Sequence, residues 1–216
     1  MAYRSAGSTT TRFFDRWSAT YDIPGFQRAT YRPVHDAVLG RLRRLDPAVV
    51  VDLGCGTGQL TRRLARAFAD ATIVGVDFSP GMLGEAVARL ASVDRPVAPA
   101  VLQADAQHLP FASASVDVVV CTESFHWYQD QGGALDDLAS VLRPDGRLLI
   151  ASIATYTTVG DRALRAATRR GGNPVRALPP ARLRTLLDRA GFDVLHQRRV
   201  PRPGLPWPVL TDARRR

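Results

Sequence analysis

Lysine is missing from this 216-residue chain: all 29 of its basic side chains are arginine. A GC-rich coding bias accounts for that choice of base, though not for the net charge of +9. Cysteine is nearly missing too. Cys55 and Cys121 have no metal-ligand spacing, and two thiols make no disulfide framework, so both are expected to be reduced and no metal site is expected. The first twenty residues hold no apolar signal core, and no apolar run approaches the ~18 residues of a spanning helix. The chain reads as cytosolic.

What is present is a regular alternation. Two helices are expected first, one carrying Phe13, Phe14, Trp17 and Tyr21 at helical spacing, the other Val34, Val38, Leu42 and Leu45. Strands are expected at 48–53, 72–77, 100–105, 116–121 and 147–154, with helices between them. One helix starts near residue 58. The next has Ser79 as N-cap and Pro80 at its first position, with Leu83, Ala86, Val87 and Leu90 facing inward. A further helix with Leu135, Leu138 and Leu142 is expected to end in the turn "RPDG". A last helix over 180–190 and strands at 192–200 and 208–213 complete the chain. Continuous Val/Ile/Leu strands separated by helices describe βαβ units around a parallel sheet buried on both faces. Residues 1–45 read as a helical cap, and 46–216 as one doubly wound α/β domain.

The stretch "VVVDLGCGTGQL" (49–60) ends a strand in Asp52 and then places Gly54, Gly56 and Gly58 at every second position. A glycine loop between strand and helix lets a ligand approach backbone closely. A phosphate loop needs Lys-Ser/Thr after the glycines, and Gln59-Leu60 stands there instead. The dinucleotide fingerprint needs a third glycine where Gln59 falls. Asp77 ends the second strand and Asp105 the third. Three acids at the carboxyl ends of three consecutive strands describe a pocket for an adenosine carrying no phosphates.

These residues resemble the class I S-adenosylmethionine-dependent methyltransferases, and among them the ubiquinone/menaquinone-biosynthesis group. "VVVDLGCGTGQL", "VGVDFSPGML", "QADAQHLPF", "VDVVVCTESFHW" and "VLRPDGRLLI" are similar to five successive motifs of that family, in its order and spacing. "FFDRWSATYD" is similar to its entry helix, and "AGFDVL" to the start of its sixth strand. The resemblance implies a Rossmann-like seven-stranded sheet of order 3-2-1-4-5-7-6 with the last strand antiparallel, and S-adenosylmethionine as cofactor. Asp52 and the loop of Gly54, Cys55, Gly56 and Gly58 would face its methionine part. Asp77 would hold the ribose, Phe78 would lie against the adenine, and Asp105 with Ala106 would read its edge. Thr122 would lie near the sulfonium, and Tyr21 would close the pocket. No substrate-binding insert is legible between the fifth strand and the last helix, so the cap is expected to form the lid.

Two base candidates follow the fourth strand in "TESFHWYQD", Glu123 and His126. An imidazole with a near-neutral pKa suits deprotonation of a phenol, enol or activated carbon. His126 as a packing residue, and Glu123 as an exposed helix-start carboxylate, are the alternatives. Phe125 and Trp127 would wall an apolar pocket or belong to the core. Charge is unevenly placed: +5 over residues 1–45, −6 over 46–160 and +10 over 161–216. That pattern suits an anionic small molecule or carrier near the flanks, or a solvated surface. Nucleic acid is disfavoured, because neither a D/N-P-P-Y/F motif nor a Pro-Cys nucleophile is present. Methylation of a small-molecule acceptor is the expected function. RNA or protein methylation and a non-methylating reader of the cofactor are the alternatives.

Overall fold

The computed structural model describes residues 14, 15, 18, 25, 29–169, 175–204 and 207–216. Among these, α1 (Arg32–Leu42) precedes a strand–helix series: β1 (Val49–Leu53), α2 (Gln59–Ala67), β2 (Thr72–Asp77), α3 (Pro80–Leu90) and β3 (Ala100–Gln103). Then come β4 (Val116–Thr122), α4 (Gln131–Val141), β5 (Leu142–Ile153), α5 (Thr158–Arg169), α6 (Pro180–Arg189), β6 (Phe192–Arg199) and β7 (Pro208–Arg215). The seven strands form one sheet of order β3-β2-β1-β4-β5-β7-β6. Strands β1 to β5 pair in parallel, and β7 runs antiparallel to both of its neighbours. The expected topology is the observed one.

Period-two alternation of apolar side chains explains why both faces are covered. Val50, Val118, Val120, Leu149 and Ala151 point to one side, against Val34, Val38 and Leu42 of α1 and Leu60 and Leu64 of α2. Val51, Val119, Cys121, Leu148 and Ile150 point to the other, against Leu135 and Leu138 of α4 and Leu183 and Leu187 of α6. Helix α1, read from the sequence together with the cap, therefore lies in the helix layer on the sheet. Ser79 caps α3 as expected, its hydroxyl accepting from Met82 N at 3.2 Å.

Four local expectations are corrected. Val87 of α3 faces solvent, because Met82, Leu83, Ala86 and Leu90 already fill the buried stripe. β3 stops at Gln103, leaving Asp105 two residues beyond it in a turn closed by a bridge to His108. "RPDG" does not separate α4 from β5 but bulges within that strand. Leu142 lies opposite Val116 and Arg147 opposite Val118, so the residues between are extra, with Asp145 left-handed at φ +62°. Helix α5 occupies a segment for which no element was expected.

Asp117 fixes the register of the sheet's centre. Its Oδ2 accepts from Ala48 N (2.7 Å) and Val49 N (2.9 Å), tying the entry of β1 to β4, and its Oδ1 pairs with Arg143 on the bulge at 2.7 Å. Asp117→Ala leaves two N–H groups without acceptors and should cost about 2–4 kcal/mol. Urea unfolding should show this as a lower midpoint with an unchanged slope.

Candidate functional site

The sheet order reverses at β1: the chain moves outward to β2 and β3, then crosses back to β4 on the other side. A crevice opens at the carboxyl ends of β1 and β4, where open α/β sheets bind ligands. A cavity of about 270 Å³ lies there. Its wall includes Leu53 at the end of β1 with Gly54 and Gly56 beyond it, Asp77 at the end of β2 with Phe78 beyond it, and Ala104 and Ala106 after β3. Thr122, Glu123, Ser124, His126, Trp127 and Tyr128 line the side below β4.

The three loop glycines are all left-handed, at φ +70°, +54° and +75°, but they answer different constraints. A Cβ on Gly54 would stand 2.4 Å from Ser124 Cβ, and one on Gly58 would stand 3.0 Å from Ala86 Cβ. Those two glycines are required by protein neighbours. A Cβ on Gly56 would find nothing nearer than Met82 Sδ at 3.9 Å, so this glycine keeps the ligand side open. The loop is held to β2: Gly54 N and Cys55 N donate to Val76 O at 2.7 and 3.0 Å. Gly56 N donates to Asp77 Oδ2 and Ser79 N to Asp77 Oδ1, each at 2.9 Å. Burial raises the Asp77 pKa, and these backbone donors oppose the rise.

The other acids sit differently. Asp52 is buried behind the loop rather than on the cavity wall. Its Oδ2 accepts from Thr61 Oγ1 at 2.6 Å, its Oδ1 has no hydrogen-bond partner among the described residues, and burial pushes its pKa up to about 7. Asp105 is turned into its own loop, accepting from Gln107 N at 3.1 Å, and the wall there is made by Ala104 and Ala106. Cys55 and Cys121 are free thiols, and burial pushes both up in pKa, Cys121 to about 11. Tyr21 and Trp17 lie outside the described residues.

Below β4 the polypeptide turns sharply. Glu123 is left-handed at φ +56°, a conformation costing roughly 1–2 kcal/mol for a residue with a Cβ. Its N–H is held by Ala151 O at 2.7 Å. This placement buries the carboxylate, so Glu123 is not an exposed helix-start acid. Arg202, from the segment before β7, brings Nη1 to 3.3 Å from Glu123 Oε1, and both side chains are about nine-tenths buried. The same Nη1 donates to Thr30 O at 3.2 Å, and Glu123 Oε1 has no aligned hydrogen-bond donor among the described residues. Burial raises the Glu123 pKa to about 7 even though Arg202 opposes the rise. His126 is buried in a 3₁₀ turn (Phe125–Trp127) with Nδ1 3.2 Å from Ser152 Oγ. Burial, with the Arg202 charge adding to it, pushes its pKa down to about 3. The imidazole is therefore neutral across the physiological range and a weak proton acceptor. Trp127 lines the cavity, while Phe125 belongs to the core.

Sequence reading missed Arg202, Ser124 and Asp15. Asp15 Oδ1 accepts from Ser79 Oγ (2.6 Å) and Gly81 N (3.1 Å), fastening Asp15 to the start of α3. Phe14 beside it stands edge-on to Phe78 and Trp127, with ring centroids 5.5 Å apart in each case, and so covers the crevice. Asp15 was legible in "FFDRW", where only the aromatic spacing was used. Nothing periodic marks Arg202, which sits among prolines.

A family model described as a methyltransferase domain matches residues 51–150. A malonyl-[acyl-carrier protein] O-methyltransferase of Methylovorus sp. (strain MP688) is 32% identical over 89% of this chain and 66% of its own length. One of Geobacter sulfurreducens is 33% identical over 83% of this chain and 68% of its own. The chain belongs to the class I S-adenosylmethionine-dependent methyltransferases. The magnesium protoporphyrin IX methyltransferase of Synechocystis PCC 6803, solved with bound S-adenosylmethionine, superposes over 99% of this chain and 100% of its own with a TM-score of 0.74 at 22% identity. The chain spans 66% and 68% of the length of these two relatives and about half the length of other malonyl-[acyl-carrier protein] O-methyltransferases that it matches.

S-adenosylmethionine is the cofactor of that family, and the residues present fit it. Gly56 leaves backbone open to a ligand, Asp77 reaches the wall with lone pairs to spare, and Phe78, Met82 and Ala106 supply an apolar surface beside it. Gly54→Ala should destabilise the fold by several kcal/mol, because its methyl group collides with Ser124 in a strained backbone. Gly56→Ala should cost only ~1–2 kcal/mol of stability. Its larger effect should be on cofactor affinity, because its methyl group enters the cavity. Thermal melting with and without S-adenosylmethionine separates the two: the Gly54 variant melts low in both, and the Gly56 variant loses the ligand-induced rise.

Proposed function

We propose that this protein transfers a methyl group from S-adenosylmethionine to a carboxylate oxygen of a small acidic acceptor, of the malonyl-thioester kind presented by an acyl carrier protein. The observation that carries the reading is the Arg202 guanidinium in the cavity wall beside a histidine held neutral. A carboxylate is already ionised at neutral pH, so the nucleophile needs no base, and a cation fixes its position. The relatives at 32–33% identity are named for an acceptor of that class.

The cofactor supplies an electrophilic methyl group on a sulfonium. The chain's part is to hold the two reactants in line and keep water out. The Gly54–Gly58 loop would take the methionine end, with Asp52 supporting it through Thr61. Asp77 would accept from the ribose hydroxyls, Phe78 would lie against the adenine, and the Ala104–Ala106 turn around Asp105 would meet its edge. Thr122 would face the sulfonium. Phe14, Trp127 and His126 would form a wall that excludes water, in place of the acid–base role first expected of His126. Residues 161–216, with a charge of +10, suit an anionic carrier.

Methyl-labelled cofactor, incubated with malonyl-pantetheine and separately with a metabolite extract, should yield a labelled methyl ester that mild alkali hydrolyses. Label in amines, RNA or protein, with none in base-labile esters, would refute the reading. Asp77→Ala should weaken cofactor binding by about 1–3 kcal/mol, measured by calorimetry, because it removes a charge-assisted acceptor for a diol.

A further inference from the structure

The cavity wall contains an ion pair of which the proposed function uses only the cation. Glu123 and Arg202 meet at 3.3 Å, both about nine-tenths buried, yet Oε1 has no aligned donor among the described residues. One face of the guanidinium is engaged by Thr30 O. Resting on the proposed function, we infer that Arg202 is the anchor for the acceptor's carboxylate, and that Glu123 is an internal carboxylate holding its place, which gives up the guanidinium by taking a proton when the acceptor enters.

An acceptor carboxylate arriving at Arg202 puts two carboxylates beside one cation in a site shielded from water. Like charges so close favour protonation of one of them. Glu123 is the member already closest to neutrality, its pKa standing at about 7 in the pair alone. The charged or titratable groups sharing the wall are Arg202 from the segment before β7, His126 and Tyr128 from the turn after β4, Asp77 from the end of β2, and Tyr31 ahead of α1. Burial and the Arg202 cation are what set the Glu123 pKa, the cation favouring its ionised form. The proton comes from solvent as the acceptor binds. A methylated acceptor is a neutral ester with no claim on the guanidinium. Glu123 then returns its proton to solvent and pairs again with Arg202, so no net proton is consumed over the cycle. The ion pair thereby selects an anionic acceptor on entry and disfavours the neutral product.

The sign fixes the pH dependence. A group whose pKa is raised by the bound ligand takes up protons on binding, so affinity is full below the free-state pKa and falls as pH rises above it. Malonyl-pantetheine is titrated into the protein saturated with S-adenosylhomocysteine, which prevents turnover, in buffers of differing ionisation heat. Above pH ~7.5 the parent should take up close to one proton per site, and affinity should fall by up to ~10-fold per pH unit. Glu123→Gln should abolish the uptake and flatten the pH dependence. Arg202→Gln should weaken malonyl-pantetheine at least ~10-fold while leaving its methyl ester and S-adenosylhomocysteine unmoved. Because that variant leaves Glu123 without its cation, the double variant with Glu123→Gln is measured beside it and should show the same loss. Uptake that persists in Glu123→Gln overturns the inference. So does undiminished binding in both Arg202 variants, or no binding of malonyl-pantetheine by the parent. Methyl transfer by the parent into base-labile esters is scored separately: its presence leaves the proposed function standing when the proton linkage fails, and its absence removes the basis of both.

Discussion

Asp77 joins the loop after β1 to the start of α3 through side-chain hydrogen bonds. Its carboxylate accepts from Gly56 in the loop after β1 and from Ser79 at the start of α3. Ser79 in turn donates its hydroxyl hydrogen to Asp15, which also accepts from Gly81 N, so Asp15 hangs from the same point. A buried acid with a raised pKa is an expensive joint, and the backbone donors make it tolerable by satisfying the charged form. The cavity wall, the loop and the covering Phe14 are therefore one connected structure. A ribose hydroxyl arriving at Asp77 would strengthen a network that already exists instead of creating one.

The elements were legible where a physical constraint repeats along the chain. Val49–Leu53 and Val116–Thr122 must be apolar on both faces because helices cover both, and such runs stand out in a sequence. Ser79-Pro80 reads as a helix start because capping is local. The strand order was different in kind. Periodicity gave seven strands, whereas their order rested on family motifs, because pairing across 70 residues leaves no local mark. Val87 was misplaced because an apolar residue beside a stripe that is already full has nowhere to go but solvent. "RPDG" carried a true turn signal, yet the strand absorbed the turn as a bulge, with Arg143 recruited to Asp117.

The site was legible in the same uneven way. Gly54, Gly56, Asp77 and Thr122 could be placed because the chain brings β1, β2 and β4 to one edge in a fixed order. Asp105 could not be placed to within a side chain's reach, since β3 ends two residues early and the carboxylate turns into its own loop. Arg202 belongs to a proline-rich link between two strands. It meets Glu123 only because β7 runs antiparallel against β5 and brings that link back over the end of β4. No spacing rule in the sequence encodes a contact made by the return of the last strand.

Burial treats the cavity's acid and base alike, and that decides what chemistry the pocket suits. Desolvation penalises charge of either sign, so it drives His126 down to about 3 and Glu123 up to about 7, each toward its neutral form. Arg202 deepens the first shift and resists the second, because its own charge cannot be shed. The wall below β4 is thus a neutral imidazole, a permanent cation and a carboxylate near its midpoint, a set whose charge runs between zero and +1 around neutral pH. A nucleophile that must lose a proton finds a poor acceptor in His126, since a base near pKa 3 gives little driving force at pH 7, and Glu123, nearer its midpoint, is already paired with Arg202. A nucleophile that arrives as an anion finds a cation instead, and leaves as a neutral ester once methylated. The electrostatics that argue against His126 as a base are the same ones that favour a carboxylate acceptor.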